Sequence, residues 1–125
     1  MKSKEFKAQL FDLLAQDVDG MTAAEKMTLA ENLFLEYQIK HDQERDTPNR
    51  GKPWSNEELR VILQSAPTKE NCLRYAKLFG RSTGSLELIY RWASTADSDI
   101  PEKYEDDRFI QQVKRIAKEV GWRAS

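Results

Sequence analysis

Residues 54–92 read WSNEELRVILQSAPTKENCLRYAKLFGRSTGSLELIYRW, and this stretch specifies three short helices and the breaks between them. The first starts at Ser55, whose hydroxyl can accept the free backbone N–H three residues on while Glu58 reaches back to the Ser55 N–H, a reciprocal cap. Leu59, Ile62, Leu63 and Ala66 then follow at i, i+3, i+4 and i+7 and lay one apolar face inward. Pro67 ends that helix, because the residue before a proline is pushed out of helical geometry. Thr68 caps a second helix to Phe79 with Cys72, Ala76 and Phe79 on one face, and Gly80 supplies the left-handed residue that stops it. Ser82 caps a third. There Leu86, Ile89, Tyr90 and Ala93 share one arc, which leaves Gly84, Glu87, Leu88 and Arg91 on the other side.

Trp54 with Glu57 and Glu58, Leu59 and Ile62, Ala76, Phe79-Gly80-Arg81-Ser82, Gly84-Ser85-Leu86 and Arg91-Trp92 together resemble a Myb/SANT-like helix-turn-helix domain. The resemblance covers about a third of the chain. It implies a DNA-binding module of the kind seen in bacterial and phage proteins, alone or beside nuclease domains, with the helix from Thr83 to Ser94 as recognition helix. SANT-like relatives with acidic third helices bind proteins instead, so a protein partner is the alternative the resemblance implies.

Working outward toward the N-terminus, Phe6, Leu10, Leu13 and Leu14 form an amphipathic stripe that ends before Asp17-Val18-Asp19-Gly20, with Gly20 expected as the helix C-cap. Thr22-Ala23-Ala24-Glu25 repeats the reciprocal cap, and beyond it Ala23, Met27, Ala30, Phe34 and Tyr37 recur at the spacing of a helix-packing seam. Residues 1–40 are therefore expected to form a helical hairpin, too small to bury both stripes alone. Either the hairpin packs on the rest of the chain, or its seam pairs with a second copy into a homodimer, as helix-turn-helix proteins do on two half-sites. Asp17 and Asp19 do not make a calcium loop, since Thr28 stands where the bidentate Glu belongs.

Residues 41–53, without an aliphatic or aromatic anchor, read as a linker. Residues 54–94 are the helix-turn-helix unit, and residues 95–125 a loop followed by a C-terminal helix. In that last helix Phe109, Ile110, Val113, Ile116, Ala117 and Val120 turn inward, Gly121 stops the helix and Trp122 folds back. Lys114, Arg115 and Lys118 read as a solvated outer face. The expected helices lie near 4–15, 22–40, 55–66, 69–79, 83–94 and 104–120, an all-α protein without a sheet. Trp54, Leu59, Ile62, Ala76, Phe79, Leu86, Ile89 and Trp92 are its expected core.

The net charge of −1 conceals an asymmetry. Residues 1–49 carry six Lys/Arg against ten Asp/Glu, residues 50–94 carry eight against four, and residues 95–125 carry six against seven. Positive charge thus concentrates in the segment with the DNA-binding resemblance, where release of counterions from phosphates would require it. The candidate DNA-binding residues are Arg50 and Lys52 as a basic arm, Arg74, Lys77 and Arg81 on phosphates, Thr83 and Ser85 at a helix N-terminus, and Arg91 at a base edge.

Catalytic readings find no support. A single histidine, His41, cannot assemble a triad or a metal cluster, and no phosphate-binding glycine loop or nucleophile motif is present. Asp106 and Asp107 are neighbours and so diverge by about 100° on a helix. The chain is expected to be no enzyme and to need no cofactor or metal. Lone Cys72 lies on a buried face as a small hydrophobe. Without a signal peptide or a membrane-length apolar run, a cytoplasmic location away from membranes is expected.

Overall fold

The computed structural model describes residues 1–122, so the last three residues of the expected C-terminal segment lie outside the described residues. Among them are six α-helices and no strand. They are α1 (Ser3–Leu14), α2 (Ala23–Lys40), α3 (Asn56–Leu63), α4 (Lys69–Phe79), α5 (Thr83–Ser94) and α6 (Arg108–Val120), and the chain divides into two units after Tyr37.

In the first unit α1 and most of α2 are joined by a turn in which the Met21 N–H donates to the Val18 carbonyl. Gly20 takes φ 76° inside that turn, while α1 itself ends on Ala15, so Gly20 is a turn residue and not the helix cap. Thr22 and Glu25 cap α2 reciprocally as expected, at 3.2 and 3.0 Å. Neither helix has a buried residue, and Met27, Phe34 and Tyr37 of the seam are 44%, 47% and 63% exposed.

The second unit is built on α3, α4, α5 and α6. Ser55 and Glu58 cap α3, Thr68 caps α4 at the Asn71 N–H, and Ser82 caps α5 at the Ser85 N–H. Gly80 closes α4 in the left-handed conformation, φ 65°. A side chain there would also strike Asn49 Nδ2 and Pro48 Cγ at 3.0 Å, so the absence of a Cβ serves close packing as well as the turn.

Two helices are shorter than their stripes suggest. α3 stops at Leu63, because Ser65 to Pro67 form a turn in which the Ala66 carbonyl accepts both the Thr68 N–H (2.9 Å) and the Asn71 side chain (2.8 Å). Ala66 is consequently exposed, not part of the inner face. α6 begins at Arg108, where Asp107 caps the Ile110 N–H at 2.9 Å, and Glu102–Tyr104 form a separate 3-10 turn.

The core joins Leu59, Ile62 and Leu63 of α3, Cys72 and Ala76 of α4, Leu86, Ile89, Tyr90 and Ala93 of α5, and Val113, Ile116 and Ala117 of α6. Removing each large side chain from water contributes about 1.5–3 kcal/mol, so α6 is a structural partner of α3 and α5. Trp54, Phe79 and Trp92, expected at the centre, sit at the core's margin and are only partly buried. Trp92 meets Tyr104 edge-on at 5.5 Å, and Trp122 stacks on Tyr90 at 5.5 Å. The Tyr90 hydroxyl, raised in pKa chiefly by burial, donates to the Ile62 carbonyl at 2.8 Å.

Residues 41–53 are not a loose linker. Their backbone and polar side chains are bonded along the α4–α5 corner, so hydrogen bonds supply the anchorage that apolar residues do not. Arg45 donates to the Arg81 carbonyl at 2.6 Å, and Asn49 donates from its side chain to the Phe79 carbonyl (2.8 Å) and from its backbone to the Gly80 carbonyl (3.0 Å). The cations of α6 are not simply solvated either. Lys114 and Lys118 both reach Asp97, at 3.4 and 2.9 Å, and Lys114 also donates to the Thr95 carbonyl.

Candidate nucleic-acid interface

The N-terminus of α5 is a place where a phosphate is expected to sit, since its first N–H groups lack helical partners. An internal carboxylate occupies it. Asp42 Oδ2 accepts the Thr83 N–H at 2.9 Å, and Asp42 Oδ1 accepts Arg45 Nη2 at 2.8 Å. Burial works against ionisation of Asp42, but the bonds from Arg45 and Thr83 outweigh it and hold its pKa below the ordinary value. Thr83 is itself 5% exposed, and the Ser85 N–H is spent on Ser82. Thr83 and Ser85 therefore build the helix end and do not offer it to a ligand.

Arg81 is likewise an internal residue and not a surface phosphate contact, at 5% exposed. Its guanidinium lies 4.0 Å over the Trp54 ring and donates to the carbonyls of Lys52 and Pro53. A planar fork suits this task, stacking on the indole while its edge serves two carbonyls. Arg81 thus fixes the backbone of residues 52–53 at the α4–α5 corner, and leaves Arg50 and Lys52 exposed on that segment. Lys52 Nζ reaches only Asn49 Oδ1, at 3.3 Å.

On α4, Arg74 is exposed and pairs with Glu70 at 3.2 Å, while exposed Lys77 donates to Gln38. On α5 the outward arc carries Gly84, Glu87, Leu88 and Arg91, all exposed, as its periodicity predicts. Among the described residues Arg91 has no ion-pair partner, although Glu87 stands four positions before it on the same arc.

One flank of that arc opens into a cleft of about 610 Å³ lined by Gly51, Lys52, Pro53, Trp54, Arg81, Ser85, Leu88, Arg108, Phe109 and Gln112. Sequence reasoning missed two residues of this neighbourhood. Asp42 lies 41 positions from its partner, and no local pattern distinguishes it from a solvated acid. Arg108 follows Glu105-Asp106-Asp107 and reads as one charge in an acidic run until the start of α6 turns it to the cleft. Among the described residues no cluster of His, Cys, Asp and Glu fit to hold a metal occurs, and no helix is long and apolar enough to cross a membrane.

Comparison with known proteins places this sequence in a family. The family model described as the C-terminal domain of uncharacterised protein PM1205 matches residues 48–124. The match begins at Pro48, which touches Gly80, and runs through α6, so it spans the docked segment and the core helix as well as α3 to α5. The protein PM1205 of Pasteurella multocida is 42% identical over 117 residues, covering 93% of this chain and 94% of that protein. No solved structure matches. With a family model across more than half its length and a relative 42% identical over most of both chains, the chain belongs to the PM1205 family.

Proposed function

We propose that the protein binds double-stranded DNA through the outward arc of α5, as a small cytoplasmic regulatory or accessory protein of bacterial or phage type built on a Myb/SANT-like helix-turn-helix. The observation that carries the reading is Arg91, a long donor exposed on the outer arc of the third helix and not held by Glu87. Arg91 addresses a base edge in the major groove, and Arg50 and Lys52 follow the backbone beside it. Arg74 and Lys77 serve as phosphate contacts, because an exposed pair such as Arg74–Glu70 contributes little and yields to a phosphate. Arg81 acts through the segment it holds. The reading includes a homodimer paired through Met27, Ala30, Phe34 and Tyr37. Fluorescence anisotropy of a labelled mixed-sequence duplex tests the reading. Binding is expected at about 50 mM salt with a steep loss by about 200 mM, and no binding at the lower salt removes it.

A further inference from the structure

The cleft beside α5 has a composition that DNA binding does not explain. Its walls are Pro53, Trp54, Leu88 and Phe109, and every charged residue lining it, Lys52, Arg81 and Arg108, is basic. Arg81 is committed to the Lys52 and Pro53 carbonyls. That leaves Lys52 and Arg108 as exposed charges, and Arg108 has no ion pair among the described residues. The polar floor is already engaged, since Gln112 Nε2 donates to the Trp54 carbonyl and to Asn56 Oδ1, both at 2.9 Å. A volume of about 610 Å³ falls in the range of pockets that enclose a ligand.

We propose that this cleft takes an acidic protein segment, seating an aromatic or aliphatic side chain between Leu88, Phe109 and Trp54 while flanking carboxylates meet Lys52 and Arg108. Charge complementarity selects an anionic occupant, and the apolar walls select one with a hydrophobic anchor. A nucleobase fits less well. Stacking needs an open aromatic face, whereas one face of the Trp54 indole is covered by the Arg81 guanidinium and the ring is further packed at right angles to Phe79, centroids 6.1 Å apart. Leu88, an aliphatic side chain 36% exposed on the outer arc of α5, offers a socket for a side chain and little for a base. The cleft shares Lys52 and Leu88 with the surface proposed for DNA but does not include Arg91, so substitution of Arg91 separates the two readings.

The test uses the full chain and fluorescein-labelled twelve-residue peptides that alternate Asp or Glu with Leu or Phe. One control peptide has Ala at the apolar positions, and the other has Lys at the acidic ones. The acidic-apolar probe is expected to bind at least about fivefold more tightly than either control, with weakening at high salt. Replacing Lys52 and Arg108 together by Ala, both exposed and so compatible with folding, is expected to weaken the probe about tenfold, a loss of two charged contacts. Leu88→Ala is expected to weaken it severalfold, and Arg91→Ala to leave it unchanged. Equal binding of probe and controls overturns the proposal, as does indifference to the double substitution. A labelled single-stranded oligonucleotide that binds more tightly than the probe, and depends on Lys52 and Arg108, overturns it in favour of nucleic acid. Probe binding that survives Arg91→Ala while duplex binding is absent upholds the cleft and removes only the DNA reading.

Discussion

Asp42 and Thr83, 41 positions apart in sequence, meet at 2.9 Å where the carboxylate closes the N-terminus of α5. The same acid bridges to Arg45, whose other bonds run to the Arg81 and Ala76 carbonyls. One short side chain thereby joins a helix end to the segment that crosses it. Removing it leaves a largely buried guanidinium and a helix N–H without their acceptor, so Asp42→Ala is expected to cost about 2–3 kcal/mol. Urea unfolding of the variant checks this.

The same contact sets a pH dependence. The folded pKa of Asp42 lies below its ordinary value of 3.8, so its contribution is complete above that value and is lost as pH falls through the lower folded one. Asp42→Asn should therefore be less stable at neutral pH yet show a shallower loss than the unaltered protein as pH falls below about 4. Parallel acid titrations followed by circular dichroism would refute this if the two acid limbs had equal slopes.

Arg81→Ala removes the stack on Trp54 and two donors to carbonyls, with an expected cost of about 2–4 kcal/mol. Arg81→Lys should recover little, since an ammonium cannot reproduce the fork. The opposite outcome, full thermal stability in either variant, would mean that the guanidinium does not hold residues 52–53.

Arg91→Ala should change stability by less than about 0.5 kcal/mol, because the side chain is exposed. In duplex binding the same change should cost about 1–3 kcal/mol and relax sequence preference. Competition among duplexes of differing sequence measures both effects.

Cys72 is 4% exposed, and burial, with a smaller contribution from Glu87, pushes its thiol up to about 11. At pH 8 about one thiol in a thousand is ionised, so the native protein should react with a thiol reagent only through opening. Rapid labelling without denaturant would contradict the packed α4 face.

What was legible in the sequence is what local chemistry dictates. The bounds of α4 and α5 follow from Thr68, Gly80 and Ser82, each acting within about one helical turn. The α3 stripe overran its helix because Ala66 has the right spacing, whereas the turn at Pro67 uses its carbonyl elsewhere. Arg81 looked like a phosphate contact because a Gly-Arg-Ser corner places it beside a helix start, and its long-range acceptors, the Lys52 and Pro53 carbonyls, have no sequence signature. Residues 41–53 looked like a linker for the same reason.

The docking of that segment has a kinetic consequence. It is fastened largely by hydrogen bonds from Arg45, Asn49 and Arg81, with few apolar side chains of its own beneath it. Segments held this way open at a lower free energy than a packed core. Residues 42–53 should therefore peel away while α3 to α6 remain folded, exchanging their amides ahead of the core. Trypsin would detect the peeled form at Arg45, which docking holds on Asp42 and the Arg81 carbonyl, whereas Arg50 is exposed already and Lys52 is shielded by Pro53. A nick at Arg45 that spared the core would show the arm beside α5 to be a hinged element, free to reshape when a partner arrives.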